Sequence, residues 1–176
     1  MKTLHDQLSA YAAYHRDSRN IATHFAGIPM IVLGITVLLA RAAWDWHGVP
    51  VNLAVVCAAL SCAWYLRLDV RYGLVMTALL GAAVAVSMEV AALSFTAWLS
   101  AGIGLFVVGW VFQFVGHVYE GRKPAFVDDL TGLIIGPLFV LAEAGFLLGW
   151  RKDVEAAIAE ASGPVRRPAG LDPAAR

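Results

Sequence analysis

Two stretches concentrate the chemistry of this chain. His15 to Pro29, HRDSRNIATHFAGIP, carries two histidines, two arginines, an aspartate and an asparagine at the threshold of a long apolar run. A helix entering a bilayer needs only a cap and a flanking positive charge, so the polar excess suggests a site. Trp110 to Phe126, WVFQFVGHVYEGRKPAF, sets Gln113, His117 and Glu120 at i, i+4 and i+7, a polar stripe on one face of an otherwise apolar helix. Polar groups so placed are costly unless they face a bundle interior and find partners. Imidazoles and carboxylates are ligands for a divalent metal, and a histidine and a carboxylate three residues apart can reach one ion.

The elements that must position these residues are membrane helices. Hydrophobic residues make up 60% of the chain and charged residues 15%, against roughly 45–50% and about 25% in soluble domains. The formal net charge is zero, which gives no general attraction to nucleic acid, and no nucleic-acid-binding motif is present. The first twenty residues are polar and the apolar run after them is too long for a signal peptide, so none is expected. Cys57 and Cys62 sit in an apolar segment, five apart and pointing different ways on a helix; they read as small core or lipid-facing residues.

Apolar runs cover Phe25–Trp44, Val51–Leu66, Gly73–Met88, Leu93–Val118 and Leu130–Trp150. The expected fold is an all-α polytopic membrane bundle with four spanning helices and a fifth segment kinked or broken at Gly136–Pro137. A short amphipathic helix is expected over residues 3–17, with Leu4, Leu8, Tyr11 and His15 on one face. Residues 1–161 form one membrane-embedded domain, and 162–176, rich in Gly, Pro and Ala, read as a disordered tail.

Lys2, Arg16, Arg19, Arg67, Arg71, Arg122 and Lys123 share one side of the membrane if the first four segments span, with only Arg41 in the opposite loops. The positive-inside rule places the N-terminus in the cytoplasm. Parity then sorts the histidines. His15, His24 and His117 reach one face, with His5 on the same side but in a helix end prone to fray, while His47 falls on the other. His15 and His24 would point about 180° apart on an unbroken helix. They converge only if the chain bends at RDSRN, with Asp17, Ser18 or Asn20 capping the membrane helix. Simpler readings stand beside these. Gln113 and Glu120 are alternatively helix-bundle glue. Arg122, Lys123, Arg16 and Arg19 are topology anchors or holders of a carboxylate. Glu143 reads first as a bridge between helices, and Asp128 and Asp129 as caps before the fifth segment.

YHRDSRNIATHFAGIP, QFVGHVYEGRKPAF and IGPLFVLAE together resemble the yeast-type 2-hydroxy fatty acid dioxygenases, a family of small membrane proteins. The matching positions are His15, Asn20, His24, Gly27, Pro29, Gln113, Gly116, His117, Glu120, Pro124 and Ala125, in a similarity running over roughly residues 5–150. The resemblance implies an Fe(II)-dependent, O2-consuming α-oxidation that shortens a long-chain 2-hydroxy fatty acid by one carbon. On that reading His15, His24 and His117 bind the iron, and Glu120 is a fourth ligand or orients an imidazole. Asn20 and Gln113 support the site, and Arg122 or Lys123 meets the substrate carboxylate. The substrate chelates through its carboxylate and hydroxyl, without 2-oxoglutarate, its tail among the helices. An integral protein of a bacterial inner membrane is expected, with the site on the cytoplasmic side. The competing expectation is a non-enzymatic protein, either a lipid-binding scaffold or a haem carrier.

Overall fold

The computed structural model describes residues 2–167. The elements in order are α1 (Leu4–Ala12), α2 (Ser18–Ala40), β1 (Ala43–Trp46), β2 (Val49–Asn52), α3 (Leu53–Leu68), α4 (Val70–Ala91), α5 (Phe95–Glu120), a 3-10 turn (Ala125–Val127), α6 (Gly132–Leu147) and α7 (Lys152–Ser162). The fold is all-α apart from one short hairpin. Among the described residues three helices, α2, α4 and α5, are long and apolar enough to cross a membrane, and α6 with α7 makes a fourth candidate only if that bent pair is one span. The chain divides into two compact units, residues 1–28 with 111–176 and residues 29–110, the divisions falling inside α2 and α5.

In the unit of residues 29–110, α3 and α4 form a hairpin joined through Asp69, whose carboxylate caps α4 by accepting the Tyr72 N–H at 2.9 Å. α3 has 16 residues, about 24 Å at 1.5 Å per residue, less than the 30 Å hydrocarbon layer. The second segment is therefore shorter than an ordinary span. Gly34 of α2 and Gly102 of α5 allow close approach, since an added Cβ would lie 2.7 Å from Phe106 N and 2.6 Å from Leu38 Cδ2 respectively. The two-residue turn His47–Gly48 has positive φ at both positions, 53° and 82°, the geometry that joins twisted antiparallel strands. This hairpin was not expected from the apolar runs, although a Gly-containing pair between short β-prone stretches is its signal.

In the other unit α1 stops at Ala12, five residues short of the expected end. The reason is local. Arg16 Nε donates to the Ala12 carbonyl at 2.9 Å, and the His15 ring takes the Tyr11 carbonyl at 2.7 Å. The side chains that follow the helix thus satisfy its open carbonyls. Leu4, Leu8 and Tyr11 are buried as the spacing requires. α6 continues as helix through Gly136–Pro137, and the break of the fifth segment comes later, a 114° bend between α6 and α7. Gly136 provides closeness, not a hinge. A Cβ there would sit 3.0 Å from Tyr11 Oη and 3.1 Å from Ile28 Cδ1. The amphipathic α7, with Val154 and Ile158 buried, was missed although its i, i+4 apolar pair and acidic first turn are legible. Of the expected tail, residues 163–167 are laid against the rest of this unit by the backbone bonds of Arg166, and 168–176 lie outside the described residues.

Candidate metal centre

The three histidines selected by parity converge in the unit of residues 1–28 and 111–176. His15 comes from the corner between α1 and α2, His24 from the second turn of α2 and His117 from the last turn of α5. All are buried, His24 fully and His117 with 7% exposure. One nitrogen from each lies within 4.8 Å of the others. The expected bend is realised at residues 13–17. Asp17 Oδ1 accepts the Arg19 N–H at 2.9 Å at the start of α2, so Asp17 is the cap.

The tautomers follow from the partners. His15 Nδ1 is 2.7 Å from the Tyr11 carbonyl and His24 Nδ1 is 2.9 Å from the Asn20 carbonyl. A carbonyl oxygen only accepts, so each Nδ1 carries its proton and each Nε2 in a neutral ring presents a lone pair. The two Nε2 atoms face one another at 3.0 Å. Burial, with the charge of His24 next in effect, holds the His15 imidazole well below its ordinary 6.5, so protonation is not the natural way to join them. A cation between them is, because one ion about 2.1 Å from each nitrogen spans that gap. Nδ1 of His117 has no hydrogen-bond partner in this arrangement. Three neutral imidazoles fit a divalent metal.

α5 comes close enough because residue 116 is glycine. A Cβ there would lie 2.2 Å from Thr23 Oγ1, 2.4 Å from Asn20 Oδ1 and 3.2 Å from His24 Nδ1. Glu120 is buried but stands apart from the three-histidine group. Its Oε2 accepts the Asp17 N–H at 2.8 Å and Asn20 Nδ2 at 3.1 Å, and its Oε1 accepts Arg166. Both oxygens thus carry hydrogen bonds. Asn20 and Gln113 are buried; Asn20 Oδ1 and Gln113 Nε2 are left without partners. Arg16 pairs with Glu143 at 3.3 Å, which agrees with a bridging Glu143. Arg122 donates to the Ala13 carbonyl at 2.7 Å and lines a cavity of about 440 Å³ together with Arg16, Glu120 and Arg166. Lys123 is turned onto Asp128 at 2.6 Å and does not line that cavity. His5 and His47 are exposed and outside the cluster. Sequence reasoning missed Arg166, which it had placed in the tail, and Tyr11, whose ring stacks on His15 with centroids 4.1 Å apart and planes within 7°.

A family model described as 2-hydroxy-palmitic acid dioxygenase Mpo1-like matches residues 1–147. The chain belongs to the Mpo1-like family. It is 30% identical over 158 residues to the 2-hydroxy-palmitic acid dioxygenase MPO1 of Saccharomyces cerevisiae, covering 88% of this chain and 87% of that protein. No solved structure matches. All the residues of the cluster lie within the Mpo1-like match.

Proposed function

We propose that this Mpo1-like chain is an Fe(II)-dependent dioxygenase that converts a long-chain 2-hydroxy fatty acid to the fatty acid one carbon shorter. The observation that carries the reading is the pair of buried imidazole lone pairs opposed at 3.0 Å in His15 and His24, with His117 beside them. Kinship with a protein named as a 2-hydroxy-palmitic acid dioxygenase supports the substrate class and is consistent with the use of O2. The reaction balances as one 2-hydroxy acid and one O2 giving the shortened acid, CO2 and water.

His15, His24 and His117 would hold the ion, and three protein ligands leave positions open for small molecules. When bound, the iron supplies activation of O2 and a site for the hydroxyl and carboxylate oxygens of the substrate. The protein groups have separable roles. Tyr11 and Asn20 fix the tautomers of His15 and His24 through their carbonyls. Glu120 positions Asn20 and the corner at Asp17, and it acts from outside the ligand set. Of the two expected carboxylate partners, Arg122 lines the 440 Å³ cavity beside Glu120, and Lys123 is occupied by Asp128. Gln113, buried with an amide nitrogen that has no partner among the described residues, would be a donor available to a substrate oxygen. Haem is disfavoured, since 3.0 Å between the two Nε2 atoms leaves no slot for a macrocycle between an axial pair. The lysine and arginine distribution supports a site on the cytoplasmic side of the membrane.

The test is elemental analysis of detergent-purified protein, followed by O2 uptake and product analysis with 2-hydroxypalmitate and 3-hydroxypalmitate. About one iron per chain, O2 uptake with the 2-hydroxy acid alone and a fifteen-carbon product are expected. Protein that takes up no metal after anaerobic Fe(II) loading would overturn the reading and leave the lipid-binding scaffold in its place.

A further inference from the structure

The segment after α7 lies beyond the family match, which ends at residue 147, yet it reaches the site. We propose that Arg166 is a positioning residue for the histidine cluster, acting through Glu120 and Asn20 as the anchor of a C-terminal strap. The inference rests on the metal-site reading above.

The strap begins at Gly163, whose φ of 81° turns the chain back as α7 ends. Ser162 Oγ donates to the Ser9 carbonyl at 2.8 Å, and Arg16 Nη1 donates to the Gly163 carbonyl at 3.2 Å. The Arg166 N–H then donates to the Arg16 carbonyl at 2.6 Å, and its carbonyl accepts the Ser18 N–H at 2.9 Å. These two bonds form a parallel bridge opposite Asp17. They grip the corner that carries His15, where the backbone has no helical ladder and its polar groups need outside partners.

The Arg166 side chain completes the path. Its guanidinium pairs with Glu120, whose side chain is 1% exposed. A buried carboxylate is tolerated when a cation and hydrogen-bond donors compensate it, and Arg16 is already paired with Glu143. The other oxygen of Glu120 holds Asn20 Nδ2 and the Asp17 N–H, and the Asn20 carbonyl holds His24 Nδ1. A continuous set of bonds therefore runs from Arg166 to the ring that orients a ligand nitrogen, and a second branch runs to the corner beside His15. Without the guanidinium, Glu120 loses its ion-pair partner, and Arg16, the other cation near it, is held by Glu143. Its rotation toward another partner then releases Asn20 and Asp17.

The experiment uses the full chain in detergent as wild type, Arg166→Gln, Arg166→Lys and the neighbouring Arg167→Gln. Fe(II) affinity is measured by anaerobic competition with a chelator, and amide exchange over residues 13–24 is followed in the metal-free protein. Arg166→Gln is expected to weaken Fe(II) binding about tenfold, the scale of losing an outer partner of a metal ligand, and to speed exchange at the corner. Arg166→Lys recovers most of both, and Arg167→Gln changes neither. Unchanged affinity in Arg166→Gln overturns the proposal even where exchange is faster. If wild type binds no metal, the metal reading fails separately and exchange alone decides: faster exchange at the corner supports positioning, and unchanged exchange overturns it.

Discussion

His15 and His24 approach each other through Nε2 atoms 3.0 Å apart, while each Nδ1 is turned away onto the carbonyl of the residue four positions earlier. Two hydrogen-bond acceptors at that distance repel unless a proton or a metal ion lies between them. Burial disfavours a proton on the His15 ring, which supports the proposed metal. Loss of either ring, or of His117, is therefore expected to remove bound metal and 2-hydroxy acid oxidation together. Elemental analysis of His15→Ala, His24→Ala and His117→Ala beside wild type checks this, and a variant with full metal content and full turnover contradicts it.

Gly116 and Gly104 lie on the same helix and should respond oppositely to alanine. At Gly116 a methyl group meets Thr23 Oγ1 and Asn20 Oδ1 at 2.2 and 2.4 Å. Neither can retreat freely, because Thr23 Oγ1 donates to the Asn20 carbonyl at 2.7 Å and Asn20 Nδ2 is held by Glu120. Gly116→Ala should cost about 1–3 kcal/mol as overpacking and lower metal content. At Gly104 nothing lies within 4 Å, and Gly104→Ala should be neutral or stabilising by up to about 1 kcal/mol through helix propensity. Thermal unfolding in detergent measures both.

Glu120 tests the division between holding the metal and holding its holders. Glu120→Gln removes the charge that faces Arg166 while keeping the shape of the side chain. The expected result is a loss of about 2 kcal/mol, in the range of hydrogen bonds to charged groups, with iron still bound but more weakly. Abolition of binding, as for the histidine variants, would instead make the carboxylate a ligand. Titration with Fe(II) distinguishes the two.

Acidification should destabilise the metal-free protein. The folded-state pKa of His15 lies well below the ordinary 6.5 because of burial. Between those two values the unfolded chain binds a proton that the folded chain does not, so stability falls as pH falls through about 6.5. The contribution is fully present above that pH. Comparing the melting temperature at pH 8 and pH 5.5 in wild type and His15→Gln checks the sign: the variant should show the smaller drop.

Much of the site was determined by sequence alone. If the first four segments all cross, an even number of crossings separates His24 from His117 and puts them on one membrane face. The nine-residue interval between His15 and His24 requires a bend if the rings are to meet, and the chain does bend before Ser18. The polar stripe Gln113–His117–Glu120 follows from 3.6 residues per turn, and all three are buried. Tertiary structure decided what each polar group in the stripe does. Glu120 is equally spaced for a metal or for a buried hydrogen-bond hub, and it carries bonds from Asp17, Asn20 and Arg166 that its spacing does not announce. Arg166 is 46 residues from Glu120 in the chain and carries no local pattern to announce the contact. Pro137 suggests a break by itself, but α6 continues through it and bends only after Leu147. Periodicity and parity act within a helix and across a membrane and can be read locally. Partner choice depends on which atoms meet in three dimensions, and distant segments decide that only when they pack.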